Sequence, residues 1–68
     1  MKLLKIDNLT GNEEYIDSHN AFNEISRNNY DMLQKDYDIH SFDDFVYYFE
    51  VAKGRRIGIK TFDYVSIR

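Results

Sequence analysis

Near the amino end of this 68-residue chain, Leu3, Leu4 and Ile6 interleave with Lys2 and Lys5, the pattern of a short strand. "NLTGNEE" (8–14) then brings Asn, Thr and Gly together, the residue types that turn a chain. "EYID" (14–17) returns as a second strand, which makes an N-terminal β-hairpin. Asp17 or Ser18 can cap a helix that follows. From there Ala21, Phe22, Ile25, Met32 and Leu33 share one broad helical face, with Asn29 in its middle and Tyr30 and Tyr37 widening the stripe. That spacing predicts helix over 18–37. "SRNN" (26–29) is a run of poor helix formers, so the segment is one helix or two short ones joined by a turn.

"FDDFVYYFEVAKGRR" (42–56) reads two ways. As a helix it sets Phe42, Phe45, Val46 and Phe49 at i, i+3, i+4, i+7. Ser41 would cap it, Asp43 and Asp44 would fill the first turn, and Lys53 and Gly54 would mark the end. As a strand it lines Phe45, Tyr47, Phe49 and Val51 on one face, and its residue types favour β structure. The punctuation favours the helix over 41–53. "RRIGIKTFDYVSIR" (55–68) alternates at Ile57 and Ile59 and then shifts phase near Thr61–Phe62. It reads as one bent strand or two short ones, with Gly58 marking a bulge or a close backbone approach. The expected fold is a small α+β domain over 1–68: a β-hairpin, one or two central helices, a further helix or strand at 41–53, and a C-terminal β segment.

Size changes the picture in one respect. A domain this small buries only roughly 60% of the surface its unfolded chain exposes. There is no cysteine to staple it. Six Tyr and five Phe supply large buriable areas instead, and most of them belong in a core. Dimerisation is the other route by which a small chain buries more surface. No apolar run approaches the length of a membrane span and no charged-then-apolar leader opens the chain. The expectation is a soluble, cytoplasmic protein with no membrane partner.

Charge is unevenly distributed. Residues 7–50 carry eleven acids against Arg27 and Lys35, a local charge of −9. Residues 1–6 carry +2 and residues 51–68 carry +4, which leaves the chain at −3. Such asymmetry makes an oriented field and points to a partner.

"NLTGNEEYIDSHNAFNEIS" (8–26) resembles the opening of the NUMOD-type DNA-binding modules found beside homing endonucleases and in phage proteins. In that family a short hairpin with a Thr-Gly turn leads through an aromatic-x-Ser step into a helix-turn-helix. Here Thr10-Gly11 matches the turn, Ile16-Asp17-Ser18 the step, and Ala21 and Ile25 the packed positions of the first helix. The resemblance implies that "RNNYDMLQK" (27–35) is the second, groove-facing helix. It also implies that "KGRRIGIKTFDY" (53–64) is the basic, Gly-containing ending.

Chemistry-bearing residues are few. His19 and His40 are too far apart to form a helical ligand pair, and Asp43 and Asp44 are adjacent and diverge on a helix. No Gly-rich phosphate loop is present. We expect no enzymatic activity, catalytic residue, metal or cofactor. Two binding classes remain. In the first, a small phage-like or mobile-element-like protein inhibits or modulates a larger host protein that is basic or binds nucleic acid. It would use an acidic and aromatic face of Asp31, Asp36, Asp38, Asp43, Asp44, Tyr47, Tyr48 and Glu50. DNA mimicry, with carboxylates standing in for phosphates, is its sharpest form. On the helical reading Tyr47, Tyr48 and Asp43 lie opposite the core. In the second class the chain is a DNA-binding helix-turn-helix accessory. It would read bases and clamp phosphates with Arg27, Asn28, Asn29, Gln34, Lys35, Lys53, Arg55, Arg56 and Lys60. The acidic middle of the chain opposes phosphate binding, which ranks the first class ahead.

Overall fold

The computed structural model describes residues 1–51 and 55–67. Two hairpins and two helices follow in the order β1 (Lys2–Asp7), β2 (Glu13–Asp17), α1 (Ser18–Tyr37), α2 (Phe42–Val51), β3 (Arg56–Ile59) and β4 (Phe62–Ser66). The hairpins join through β1 and β4 into one four-stranded antiparallel sheet of order β2-β1-β4-β3. The first and last strands of the fold therefore lie at its centre. α1 packs on β1 and β2, and α2 packs on β4, so both helices cover the same face. The thinnest dimension is 17 Å, the depth of two layers.

Alternation along the strands places the core. Leu3, Ile57, Ile59 and Tyr64 point beneath the helices and are buried. Ala21, Ile25 and Leu33 from α1, Ile39 from the connection, and Phe45 and Phe49 from α2 close over them. Phe45 and Phe49 meet edge to face at 5.1 Å between centroids, and Phe22 reaches Phe45 at 5.4 Å. Aromatic pairs of this kind add stability beyond the area they bury, which matters in a domain with no disulfide.

The first turn carries its own locks. The Asp7 carboxylate accepts from the Leu9 N–H, the Thr10 hydroxyl accepts from the Asn12 N–H, and Gly11 takes φ +78°. Thr10-Gly11 thus lies in the turn, as expected. The Asn8 N–H donates to the Thr61 carbonyl at 2.8 Å, which ties the two hairpin ends together.

Asp17 caps α1, its carboxylate accepting from the His19 N–H at 3.0 Å. Helix runs to Tyr37, but Asn29 departs from helical geometry (φ −133°, ψ 27°) and kinks it. Ser26, Asn28 and Asn29 weaken the backbone there because their short polar side chains compete for its hydrogen bonds. The residues on either side of the kink continue as helix with no connecting turn between them.

α1 ends in a left-handed cap motif. Asp38 adopts the left-handed conformation (φ 57°, ψ 38°). Its N–H donates to the Gln34 carbonyl at 3.2 Å, and the Ile39 N–H donates to the Leu33 carbonyl at 3.0 Å. Leu33 and Ile39, the apolar pair that accompanies such a motif, are both in the core.

Residues 42–51 form a helix, which resolves that ambiguity in favour of the end signals. The Ser41 hydroxyl accepts from the Asp44 N–H, and the Ser41 carbonyl accepts the first helical bond from Phe45. The expected end signals Lys53 and Gly54 lie outside the described residues.

The C-terminal segment is two strands. Lys60 and Thr61 make a two-residue hairpin, and Lys60 is left-handed (φ 55°). That reversal explains the shift of phase seen in the sequence. Gly58 sits in unbroken register opposite Asp63, so it marks no bulge. It is a close approach: a Cβ added there would lie 3.1 Å from the Asp63 carboxylate.

Candidate functional site

The connection between the helices is held from both sides. The Tyr30 hydroxyl on α1 donates to the His40 carbonyl, and the Asp44 carboxylate on α2 accepts from the His40 N–H at 2.9 Å. The His40 ring lies 2.8 Å from the Asp38 carboxylate. These bonds fix the connection, which contributes Asp38 and Ile39 to one wall of a groove.

The groove holds about 320 Å³ and is lined by Tyr37, Asp38, Ile39, Asp44, Tyr47, Tyr48, Val51 and Arg55. Tyr37 and Tyr48 form its aromatic side, edge to face at 5.5 Å. Each is tethered to the outer strand β3. The Tyr48 hydroxyl donates to the Arg56 carbonyl at 3.3 Å, and the Tyr37 hydroxyl accepts from the Gly58 N–H at 3.4 Å. The two tyrosines thereby occupy backbone groups on an edge strand that could otherwise pair with another chain. Arg55 places its guanidinium 5.3 Å from the Tyr48 ring centre, within cation–π range. Burial, with Tyr37 alongside, pushes the Tyr48 hydroxyl above its usual titration range, and Arg55 opposes the shift. Tyr48 therefore stays a neutral donor at physiological pH.

Tyr48 was expected opposite the core with Tyr47. It is instead half-buried and turned toward β3, because its hydroxyl has a carbonyl there to satisfy. Tyr47 remains outside, 67% exposed, and Val51, one turn on, is 60% exposed. Asp43 and Glu50 stand one turn before and about one turn after Tyr47 on the same exposed arc of α2.

Asp38 and Asp44 line the groove, but both do structural work: Asp38 ends α1 and pairs with His40, and Asp44 holds the connection. Asp31 and Asp36 are exposed on the second half of α1 and do not line the groove. The acidic set therefore divides between two helices and the connection. Asp43, Asp44, Tyr47, Tyr48 and Glu50 are brought together on α2, with Asp38 beside them.

The basic set is dispersed. Arg27, Asn28 and Lys35 are exposed on α1, where Asp31 interrupts them, and Asn29 and Gln34 are partly buried. Arg55 belongs to the groove. Arg56 reaches Asp63 at 3.1 Å on the sheet face away from the helices, and Lys60 sits at the hairpin tip. Lys53 lies outside the described residues. The two histidines are apart as well: His19 stacks on Phe42 at 3.9 Å, and His40 is in the connection. Among the described residues no group of three or more His, Asp or Glu side chains could hold a metal ion. No described helix is long and apolar enough to cross a membrane.

Sequence reasoning passed over a second polar cluster. Glu24 on α1 accepts from Lys5 and from the Tyr64 hydroxyl, both at 3.0 Å, and the Lys5 ammonium lies 4.5 Å from the Phe62 ring centre. Burial, then the hydrogen bond to Glu24, pushes the Tyr64 hydroxyl far above its usual range. The cluster pins α1 to β1 and β4. Its partners lie 19 and 40 residues from Glu24 along the chain, so no local pattern signals it. No family model, no curated protein and no solved structure matches this chain.

Proposed function

We propose that this chain is a small non-enzymatic interaction protein. It binds and modulates a larger host protein, basic or itself nucleic-acid-binding, through the outward face of α2 and the groove beside it. The observation that carries the reading is Tyr47, 67% exposed between Asp43 and Glu50 and followed by the equally unburied Val51. Tyr47 and Val51 stand one helical turn apart, so their exposed apolar surfaces adjoin on one outward face. Aromatic anchors carry a large share of binding energy at protein interfaces. Flanking carboxylates steer and orient a basic partner. Arg55 and the tyrosine side of the groove add a place for an aromatic or carbonyl group of that partner.

The DNA-binding reading draws less support, because its cations lie at separate places and two of them are engaged, Arg55 with Tyr48 and Arg56 with Asp63. Affinity for a duplex comes largely from cations that can meet its phosphates together.

The test is capture by tagged protein from bacterial lysate, with and without nuclease. The wild type is expected to retain a stoichiometric, nuclease-resistant partner. Tyr47→Ser and the pair Asp43→Lys with Glu50→Lys should each lose it, while Arg27→Ala with Lys35→Ala should keep it. Asp44 is left intact because its carboxylate holds the connection. A retained set that vanishes with nuclease overturns the proposal and favours nucleic acid.

A further inference from the structure

The two edges of the sheet differ. At β3 the Tyr48 hydroxyl donates to the Arg56 carbonyl and the Gly58 N–H donates to the Tyr37 hydroxyl, so side chains already engage that strand's backbone. β2 is the other edge. The Asp7 N–H donates to the Asn12 carbonyl at one end of the ladder between β1 and β2, and the Ser18 N–H donates to the Met1 carbonyl at the other. Antiparallel pairs alternate between bonded and non-bonded, so Asn12, Glu14, Ile16 and Ser18 turn their backbone groups toward β1. The N–H and carbonyl groups of Glu13 and Tyr15 therefore point outward, and among the described residues nothing bonds them. The strand also carries charge of one sign: Glu13, Glu14 and Asp17 are exposed acids, and no base stands on it. A pocket of about 210 Å³ adjoins it, lined by Lys5, Asp7, Asn12, Glu13, Glu14 and Phe62. Lys5 is committed to Glu24, whereas Glu13 and Glu14 form no ion pair among the described residues. Three carboxylates thus surround a pocket whose one cation is engaged elsewhere.

We infer that β2 is a docking edge for an extended, basic segment of a partner protein, which adds to the sheet as a further strand. Strand addition takes affinity from main-chain hydrogen bonds and specificity from pockets for alternate side chains. An antiparallel newcomer exchanges N–H and carbonyl bonds with Glu13 and Tyr15. Glu14 is paired with Lys5, whose ammonium reaches Glu24 on α1, so its side chain lies on the helix side of the sheet. The newcomer's residue opposite Glu14 takes the same side, because pleated neighbours share their faces. A lysine or arginine there lies beside the Glu14 carboxylate at the mouth of the pocket. On the other side of the sheet a β-branched residue packs on the ring of Tyr15, which is 69% exposed. Acids along an edge deter pairing between like strands, and here they also select the sign of the strand that can add. A second copy of this chain is not the occupant: its β2 repeats the acids, and its β3 has Arg56 and Gly58 engaged by tyrosines. The inference does not depend on what α2 binds.

Amide shifts of isotope-labelled protein test it, followed as an acetylated and amidated peptide of about eight alternating Lys and Thr residues is added. The Glu13 and Tyr15 amide protons should move downfield and slow their exchange with solvent, with a dissociation constant of roughly 0.1–1 mM. The same peptide with every backbone nitrogen methylated keeps its charge but donates no main-chain bond, and it should not bind. A peptide of alternating Glu and Thr should not bind either. Glu14→Lys, a change at an exposed site, should weaken binding of the Lys–Thr peptide about tenfold or more. Tyr15→Pro removes an outward N–H and leaves the ladder to β1 untouched, so it should weaken binding as well. Unchanged circular dichroism for each variant separates loss of binding from loss of fold, and Glu14→Lys with the methylated peptide decides the matter if the proline variant does not fold. Residues 13–17 unmoved by millimolar peptide, equal binding of the methylated or the acidic peptide, or a folded Glu14→Lys that binds as the wild type does overturns the inference.

Discussion

Asp38 should be a site where glycine outperforms alanine. It ends α1 at φ 57°, a region in which a Cβ crowds the following carbonyl. The strain costs an ordinary residue about 1–2 kcal/mol, while aspartate tolerates the region better than most because its short side chain bonds locally. Asp38→Ala keeps a Cβ in the left-handed region and gives up that local bonding. Asp38→Gly removes the Cβ and leaves the bonds from residues 38 and 39 to Gln34 and Leu33 available. Glycine gives back roughly 0.5–1 kcal/mol through the freedom of its unfolded chain. The glycine variant should still exceed the alanine variant by about 1 kcal/mol, the reverse of their order inside a helix. For a domain of this size that is a difference of about 4–8 °C in Tm. The ion pair with His40 contributes little, because the Asp38 side chain is 94% exposed. Thermal and urea melts of the wild type and both variants at neutral pH measure the order. Both variants should also capture less partner, since each loses a carboxylate from the groove wall. An alanine variant at least as stable as the glycine variant would refute the left-handed end of α1, and with it the placement of Ile39 and the groove wall.

Further expectations follow from the core and its polar attachments. Phe45→Ala removes a fully buried ring, a loss of about 3–5 kcal/mol, which a domain of this size cannot absorb; circular dichroism should show an unfolded chain at 25 °C. The Ser66 hydroxyl is buried without a hydrogen-bond partner among the described residues, so Ser66→Ala should raise stability by about 1 kcal/mol in urea melts. Tyr64 holds its proton more tightly folded than unfolded. Its contribution is therefore fully present below the usual tyrosine value of 10.0 and is lost as pH rises above it. Stability should fall across alkaline pH in the wild type and fall less steeply in Tyr64→Phe, as melts at neutral and alkaline pH will show.

The extent to which the fold was legible varied with the range of the interactions. Ser41, Asp43 and Asp44 announced the start of α2 against the β-favouring aromatics that follow, because caps act within a single turn. Asn29 announced the kink for the same local reason. The second hairpin was harder to see, because Lys60-Thr61 lacks the Gly or Asn that usually marks a two-residue turn. The site was legible in its ingredients and less so in its assembly. Tyr47 and Tyr48 are adjacent and look alike in sequence, yet one stays in solvent and the other turns to satisfy a carbonyl on β3. Asp44 reads as a surface acid but holds the connection through the His40 N–H. Which side chains share the outer sheet face was invisible, because that depends on β1 lying between β2 and β4, and strand order is a property of the tertiary fold.

The central claim is that the outward face of α2 recognises a protein. Amide chemical shifts of isotope-labelled protein, followed as the nuclease-resistant partner is added and separately as a short DNA duplex is added, test it most directly. The account predicts that the partner shifts the amides of Asp38, Asp43, Tyr47, Glu50 and Val51 and that the duplex shifts none of them. Shifts concentrated at Arg27, Asn28, Gln34 and Lys35 on addition of the duplex, with the α2 amides unmoved by the partner, would contradict it.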